Sequence, residues 1–209
     1  MTFGLVKHNN NSISAITSAG QLAQGKMTLI KEQTASSSSS ISFVDGSSSV
    51  VLDSTYPIYL FKFINLHVDT DTAKMQFNFS TDSGSNYNVT KTTTVFRATQ
   101  QENGSGGQVG YNTGNDQAQS TSFHVLNMGE MDSQSDRSSS GEMLLFQPSS
   151  TTFVKHFTSR LNNAADASGT FESYISGYGN TTSAIDAVQF KANSGTFDGT
   201  IKLYGIKGS

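Results

Sequence analysis

The chain has 209 residues, a formal net charge of −3, only 14% charged residues and no cysteine. That length fits one large or two small domains, and the lack of thiols excludes disulfide staples, cysteine zinc sites and a thiol nucleophile. The 13 Lys and Arg are scattered without a basic stripe, so nucleic acid is not an expected partner.

Hydrophobic residues are 34% of the chain, but 14 Phe and 7 Tyr concentrate the apolar mass enough for one core. Disorder pairs low hydrophobicity with high net charge, and the charge here is small. The expected surface is rich in hydroxyls and amides and binds through hydrogen bonds that salt hardly screens.

Residues 1–25 carry isolated Leu5, Val6, Ile13, Ile16 and Leu22 in amide-rich sequence and read as an irregular arm. No charged segment precedes an apolar one there, so no export signal is expected. The domain is expected to run over 26–209, beginning with a strand at 26–33. The serine run 36–40 has linker composition but feeds into Ile41-Ser-Phe-Val44, and serine-rich stretches also form exposed strand edges. Asp45-Gly46 signals a tight turn. Residues 58–67 form the longest strand candidate, with Ile58, Leu60, Ile64 and Leu66 on one face and Tyr59, Phe61 and Phe63 on the other. The run 57–66, interrupted by Lys62, is too short to span a bilayer, and no membrane is expected.

Met75, Phe77 and Phe79 alternate cleanly along the next strand. A strand or irregular crossing follows at 87–98, and the polar segment 100–119 reads as a long functional or mobile loop carrying Tyr111. Further strands are expected at 121–128, 141–146, 151–161, 170–178, 184–192 and 196–206. The last, with Ile201, Leu203 and Tyr204 presenting apolar groups to both faces, reads as a central strand that closes the fold. About ten short strands without a convincing amphipathic helix predict an all-β antiparallel β-sandwich of jelly-roll type with an irregular N-terminal arm.

Chemistry motifs are sparse. The histidines show no His-x-His or His-x3-His spacing, so no zinc site is expected. Asp69 and Asp71, Asp82 with Asn86, or Glu130, Asp132 and Asp136 have oxygens suited to calcium, while turn chemistry explains the same residues equally well. Glu142 and Glu172 read as ordinary strand residues. Gly-x-Ser-x-Gly is absent, and the glycine-rich 103–107 is followed by Gln108 where a phosphate loop needs Lys. No catalytic residue, metal or cofactor is therefore expected. Tyr111, Tyr174 and Tyr178 read either as core-rim residues or as exposed rings for a partner. Leu5, Val6, Ile13 and Ile16 are the candidate anchors if the arm docks on a neighbouring subunit.

Asp53-Ser-Thr-Tyr56, Tyr59-Leu-Phe-Lys-Phe-Ile-Asn-Leu66 and Phe79-Ser-Thr-Asp-Ser-Gly-Ser-Asn-Tyr87 resemble the early strands of jelly-roll modules in virion proteins of tailed phages, especially marine ones. The resemblance extends through Gly141-Glu-Met-Leu-Leu-Phe-Gln-Pro148, Phe153-Val-Lys-His-Phe157, Ala184-Ile-Asp-Ala-Val-Gln-Phe190 and Gly199-Thr-Ile-Lys-Leu-Tyr-Gly-Ile206. It covers 40–206 and leaves the arm unmatched, and its motifs specify fold more than task. It implies a structural or receptor-binding phage protein, often trimeric. The resulting expectation is a non-enzymatic capsid decoration or cement protein, made in the host cytoplasm and placed on the virion as a homotrimer beside other virion proteins. The alternatives are a tail-fibre or receptor-binding protein that meets a host surface glycan through Tyr111, and a free carbohydrate-binding module.

Overall fold

A computed structural model describes residues 27–129, 131–165 and 169–207. All regular structure among them is antiparallel strand, in two sheets of a β-sandwich. The strands are β1 (Met27–Ser38), β2 (Ser40–Val44), β3 (Ile58–Val68), β4 (Met75–Ser80), β5 (Lys91–Gln101), β6 (Gln108–Tyr111), β7 (His124–Val125), β8 (Ser139–Phe146), β9 (Lys155–Ala165), β10 (Gly169–Gly179), β11 (Ala187–Ala192) and β12 (Phe197–Ile206). One sheet has the order β1-β12-β3-β8-β9-β10-β5-β6, and the other β2-β11-β4-β7.

The order separates a framework from its additions. Taken along the chain, β1, β2, β3, β4, β7, β8, β11 and β12 fall in two sets of four, β1-β12-β3-β8 and β2-β11-β4-β7. The pairs β5–β6 and β9–β10 are inserted between β4 and β7 and between β8 and β11. They pair with each other through β10 and β5, which extends one sheet to eight strands.

The core lies between the sheets and is built largely from phenylalanines. Phe43, Phe61, Phe63 and Phe190 meet edge to face at centroid distances of 5.1–6.2 Å. Phe157 on β9 packs against Phe77 and Phe79 of the opposite sheet at 5.1 and 5.5 Å. Edge-to-face contacts suit the ring quadrupoles and add about 0.5–1.5 kcal/mol per pair beyond area burial. Met75, Phe77 and Phe79 all face this core, as their alternation predicts. β12 is a central strand between β1 and β3, with Phe197, Ile201 and Leu203 inward and Tyr204 and Ile206 outward.

Several sequence readings need correction. Leu66 does not share a face with Ile58 and Leu60; it is fully buried with Tyr59, Phe61 and Phe63. One extra residue in β3 near Asn65 shifts its register against both neighbours, between Phe63 and Leu66 on the β8 side and opposite Asp198–Thr200 on the β12 side. A bulge of this kind reverses the alternation beyond it. Asn65 takes φ 50°, in the left-handed region that Asn tolerates, and its N–H donates to Ser140 Oγ at 3.0 Å. The polar segment 100–119 is not one loop, because β5 runs to Gln101 and β6 pairs back onto it. At 121–128 only His124–Val125 is strand, and at 151–161 the strand begins at Lys155. Tyr174 lies mid-strand in β10, not at a strand end. Of the two readings of the serine run, strand edge holds, and it joins β1 to β2.

Candidate functional site

The inner face of each sheet is committed to the core, so contact chemistry belongs to the outer face of the eight-stranded sheet. Register aligns its side chains in rows across the strands. One row crosses all eight: Glu32, Lys202, Lys62, Glu142, Arg160, Tyr174, Phe96 and Tyr111. Its first half is ionic. Lys202 Nζ lies 2.9 Å from Glu32, and Lys62 pairs with Glu142, so each of the two adjacent lysines is drawn to the acid on its far side. Arg160 pairs with Glu172, two residues along β10 from Tyr174, and this contact raises the guanidinium pKa.

The second half of the row is aromatic. Phe96 and Tyr174 stack with centroids 4.7 Å apart and planes within 8°. The Arg160 guanidinium carbon lies 5.5 Å from the Tyr174 centroid. Both faces of Tyr174 are thereby engaged, and the exposed rings left to a partner are Phe96 and Tyr111. Tyr111, predicted as a contact residue, sits on edge strand β6 opposite Phe96. Its hydroxyl donates to Asp116 Oδ2 at 2.7 Å, and that bond raises the phenol pKa. Next to this row, Thr158, Ser176 and Thr94 form a low hydroxyl row, and His156, Tyr178 and Thr92 a third. Between the taller rows lie two hollows of about 200 and 320 Å³ that share Thr158 and Ser176.

On strands β1, β12, β3 and β8, two further rows are apolar throughout. They are Met27–Ile206–Ile58–Phe146 and Leu29–Tyr204–Leu60–Leu144. Sequence reasoning saw the apolar groups on both faces of β3 and β12 but had no access to the register that merges them into one patch. The predicted anchors Leu5, Val6, Ile13 and Ile16 lie outside the described residues.

The titratable candidates elsewhere serve as braces. Asp69 accepts from the Thr196 N–H (2.8 Å) and hydroxyl (2.7 Å) and from Thr70 Oγ1 (2.9 Å), and these bonds lower its pKa. Asp71 accepts from the Ser133 hydroxyl (2.6 Å) and N–H (3.0 Å), with the same effect. Asp82 caps its own turn through Asn86 and Ser80. Asp132 holds Arg137 at 3.1 Å, and Glu130 lies outside the described residues. Among the described residues no three His, Asp or Glu side chains are grouped to hold a metal ion. Glu142 and Glu172 are each held by a cation on the outer face.

Three buried bases, Lys91, Lys155 and His124, were not singled out by the sequence reading. Lys91 is fully buried, with Nζ donating to Asn78 Oδ1 (2.5 Å) and Val89 O (2.9 Å), and burial lowers its pKa to about 7. Asn78 in turn donates to Tyr87 O and Thr121 O at 2.6 and 2.9 Å. His124 donates from Nδ1 to Val125 O at 2.6 Å and accepts at Nε2 from Thr93 Oγ1 at 2.8 Å, the pattern of a neutral ring. Burial lowers its pKa to about 4. Lys91, Asn78 and His124 tie β4, β5 and the 112–125 segment together beneath the surface.

The chain matches no protein-family model, no curated protein and no solved structure.

Proposed function

We propose that this chain is a non-enzymatic virion protein of a tailed phage, a jelly-roll module that assembles as a homotrimer and decorates the capsid. The observation that carries this reading is the framework order, β1-β12-β3-β8 facing β2-β11-β4-β7. Eight antiparallel strands in two such sets support the reading as a jelly roll, a fold at home in viral shells. The sequence resemblance points to the same class. The apolar rows on the outside of the larger sheet add a surface for self-association. The mechanism is passive: apolar area buried between copies and against neighbouring virion proteins adds to the stability of the particle.

A second reading, a receptor-binding protein of the tail that meets a host glycan, is favoured by one feature. Tyr111 and Phe96 present exposed rings beside the hydroxyl row of Thr94, Ser176 and Thr158. Aromatic and hydroxyl groups side by side suit the apolar face and the hydroxyls of a sugar. Fold alone does not decide between the two.

The deciding experiment labels the protein on purified virions and images them by electron microscopy. Label over the head is the expected result. Label confined to the tail transfers the assignment to the glycan reading, and particles without label overturn both.

A further inference from the structure

An antiparallel sandwich normally turns polar side chains outward. The corner of the larger sheet does the opposite, with eight apolar side chains filling two adjacent rows over β1, β12, β3 and β8. Leu60 is only 6% exposed because its neighbours in those rows cover it, whereas Met27 and Leu29, on β1 itself, remain 51% and 49% exposed. Beyond Phe146 the patch continues into a hollow of about 450 Å³ lined by Pro57, Ile58, Val154 and the exposed ring of Phe153.

This patch ends at an open edge. Among the described residues β1 is a twelve-residue edge strand with β12 as its sheet neighbour on one side only. Register shifts at Leu29/Lys31 and Ala35/Ser38 interrupt it, but an open edge of that length remains a template for another chain. Met27 and Leu29 project at that edge, so a group that covers them must straddle it.

Area narrows the occupant. Four strands and two rows span roughly 20 by 14 Å, on the order of 300 Å². A globular interface buries about 800 Å² on each partner, so this corner is too small to hold a second copy by itself and large enough for one peptide segment. The chain supplies such a segment. Residues 1–26 end where the patch begins, at Met27, and carry Leu5, Val6, Ile13, Ile16 and Leu22. They hold two lysines and no acid, in a chain of net charge −3, and the ionic row that borders the patch places Lys62 and Lys202 within reach of a docked segment.

We propose that residues 1–26 of a neighbouring copy of this chain dock across the corner formed by Met27, Leu29, Ile58, Phe146, Tyr204 and Ile206, bridging the open β1 edge. The segment thereby links copies, and each copy lends its own segment to the next. The inference rests on the self-assembly in the proposed function and not on location in the virion, which the labelling experiment tests separately.

The test uses the full chain. Nitrogen-14- and nitrogen-15-labelled chains are unfolded and refolded together, cross-linked with a lysine-specific reagent and read by mass spectrometry, with the assembly mass taken by light scattering. The expected result is an oligomer with mixed-isotope cross-links from Lys7 to Lys62 and Lys202. Leu29→Glu, at a half-exposed position, is expected to reduce those cross-links at least tenfold and to shift the mass toward monomer. Met27→Glu is the second variant, and melting curves check that both remain folded. A monomeric wild-type chain, cross-links from Lys7 confined to a single isotope, or an oligomer that both folded variants leave intact overturns the proposal.

Discussion

The least expected residues are three buried bases, Lys91, Lys155 and His124, without a buried acid to answer them. Lys91 satisfies Nζ with two oxygens, and neither is charged. Burial therefore disfavours its ammonium form, which places the folded pKa at about 7 against an ordinary value of 10.5. Between those values the unfolded chain binds a proton that the native chain does not, so stability rises with pH across this window. The slope from one such group approaches about 1.4 kcal/mol per pH unit. Lys155, whose pKa is also lowered by burial, acts in the same direction. His124 repeats the pattern in acid: with a folded value of about 4 and an ordinary value of 6.5, its contribution is lost as pH falls from 6.5 towards 4. Urea melts at pH 7.0, 8.0 and 9.0 check the first claim. Wild type should gain stability at each step, and Lys91→Met, which fills similar volume without a charge, should show a visibly shallower slope. Equal slopes in the two chains would mean that Lys91 is not the group responsible. None of this was legible in Lys91-Thr-Thr-Thr-Val95, because the burial comes from Asn78 and from the 112–125 segment, which no local pattern connects to that strand.

Most elements were visible in the sequence because their periodicity is strong, and the errors fall where the backbone departs from regular pleat. β3 is the instructive element. Its first half obeys strict alternation and was read correctly, while Leu66 was assigned to the wrong face because a bulge leaves little trace in residue type. The partner of that bulge is Gly199 on β12, with φ 121°, a conformation that side chains rarely adopt. A Cβ there would stand 2.5 Å from the Asn65 carbonyl oxygen and 2.9 Å from Leu66 Cα. Gly199→Ala must either strain its own dihedral or push β3 away, and each is worth on the order of 1–3 kcal/mol. Chemical denaturation should register a loss of about that size with an unchanged slope on denaturant. A neutral result would show that β12 can reshape around the bulge. The segment 100–119 failed differently: its polarity suggested a loop, yet Gln108–Tyr111 needs no apolar inner face, because as an edge ribbon all four of its residues stand in solvent.

At the scale of the whole molecule, the open question is whether the inserted strands belong to the same cooperative unit as the framework. Pairing alone leaves that undecided, since an eight-stranded sheet with twice as many strands as its partner has strands that the smaller sheet does not cover. The packing argues for one unit. Phe157 on the inserted β9 is wedged between Phe77 and Phe79 of the opposite sheet, and Val95, Leu161 and Ile175 are buried alongside it. Met128 N–H donates to Ser173 Oγ at 2.8 Å, and Thr93 holds both His124 and the N–H of Gln117, so the 112–128 segment closes over the inserted strands from the other side. The sequence offered β5, β9 and β10 as separate strands and gave no sign that β10 pairs with β5, because a pairing of strands some seventy residues apart is settled by the shared core. Phe157→Ala should therefore destabilise the entire molecule by about 3–5 kcal/mol, the range for deleting a buried ring. Amide exchange distinguishes this from local loosening. In a single unit, protection in β3 and β12 falls in step with protection in β9 and β10, whereas an independent insert would lose its own protection and leave the framework strands as slow as in wild type.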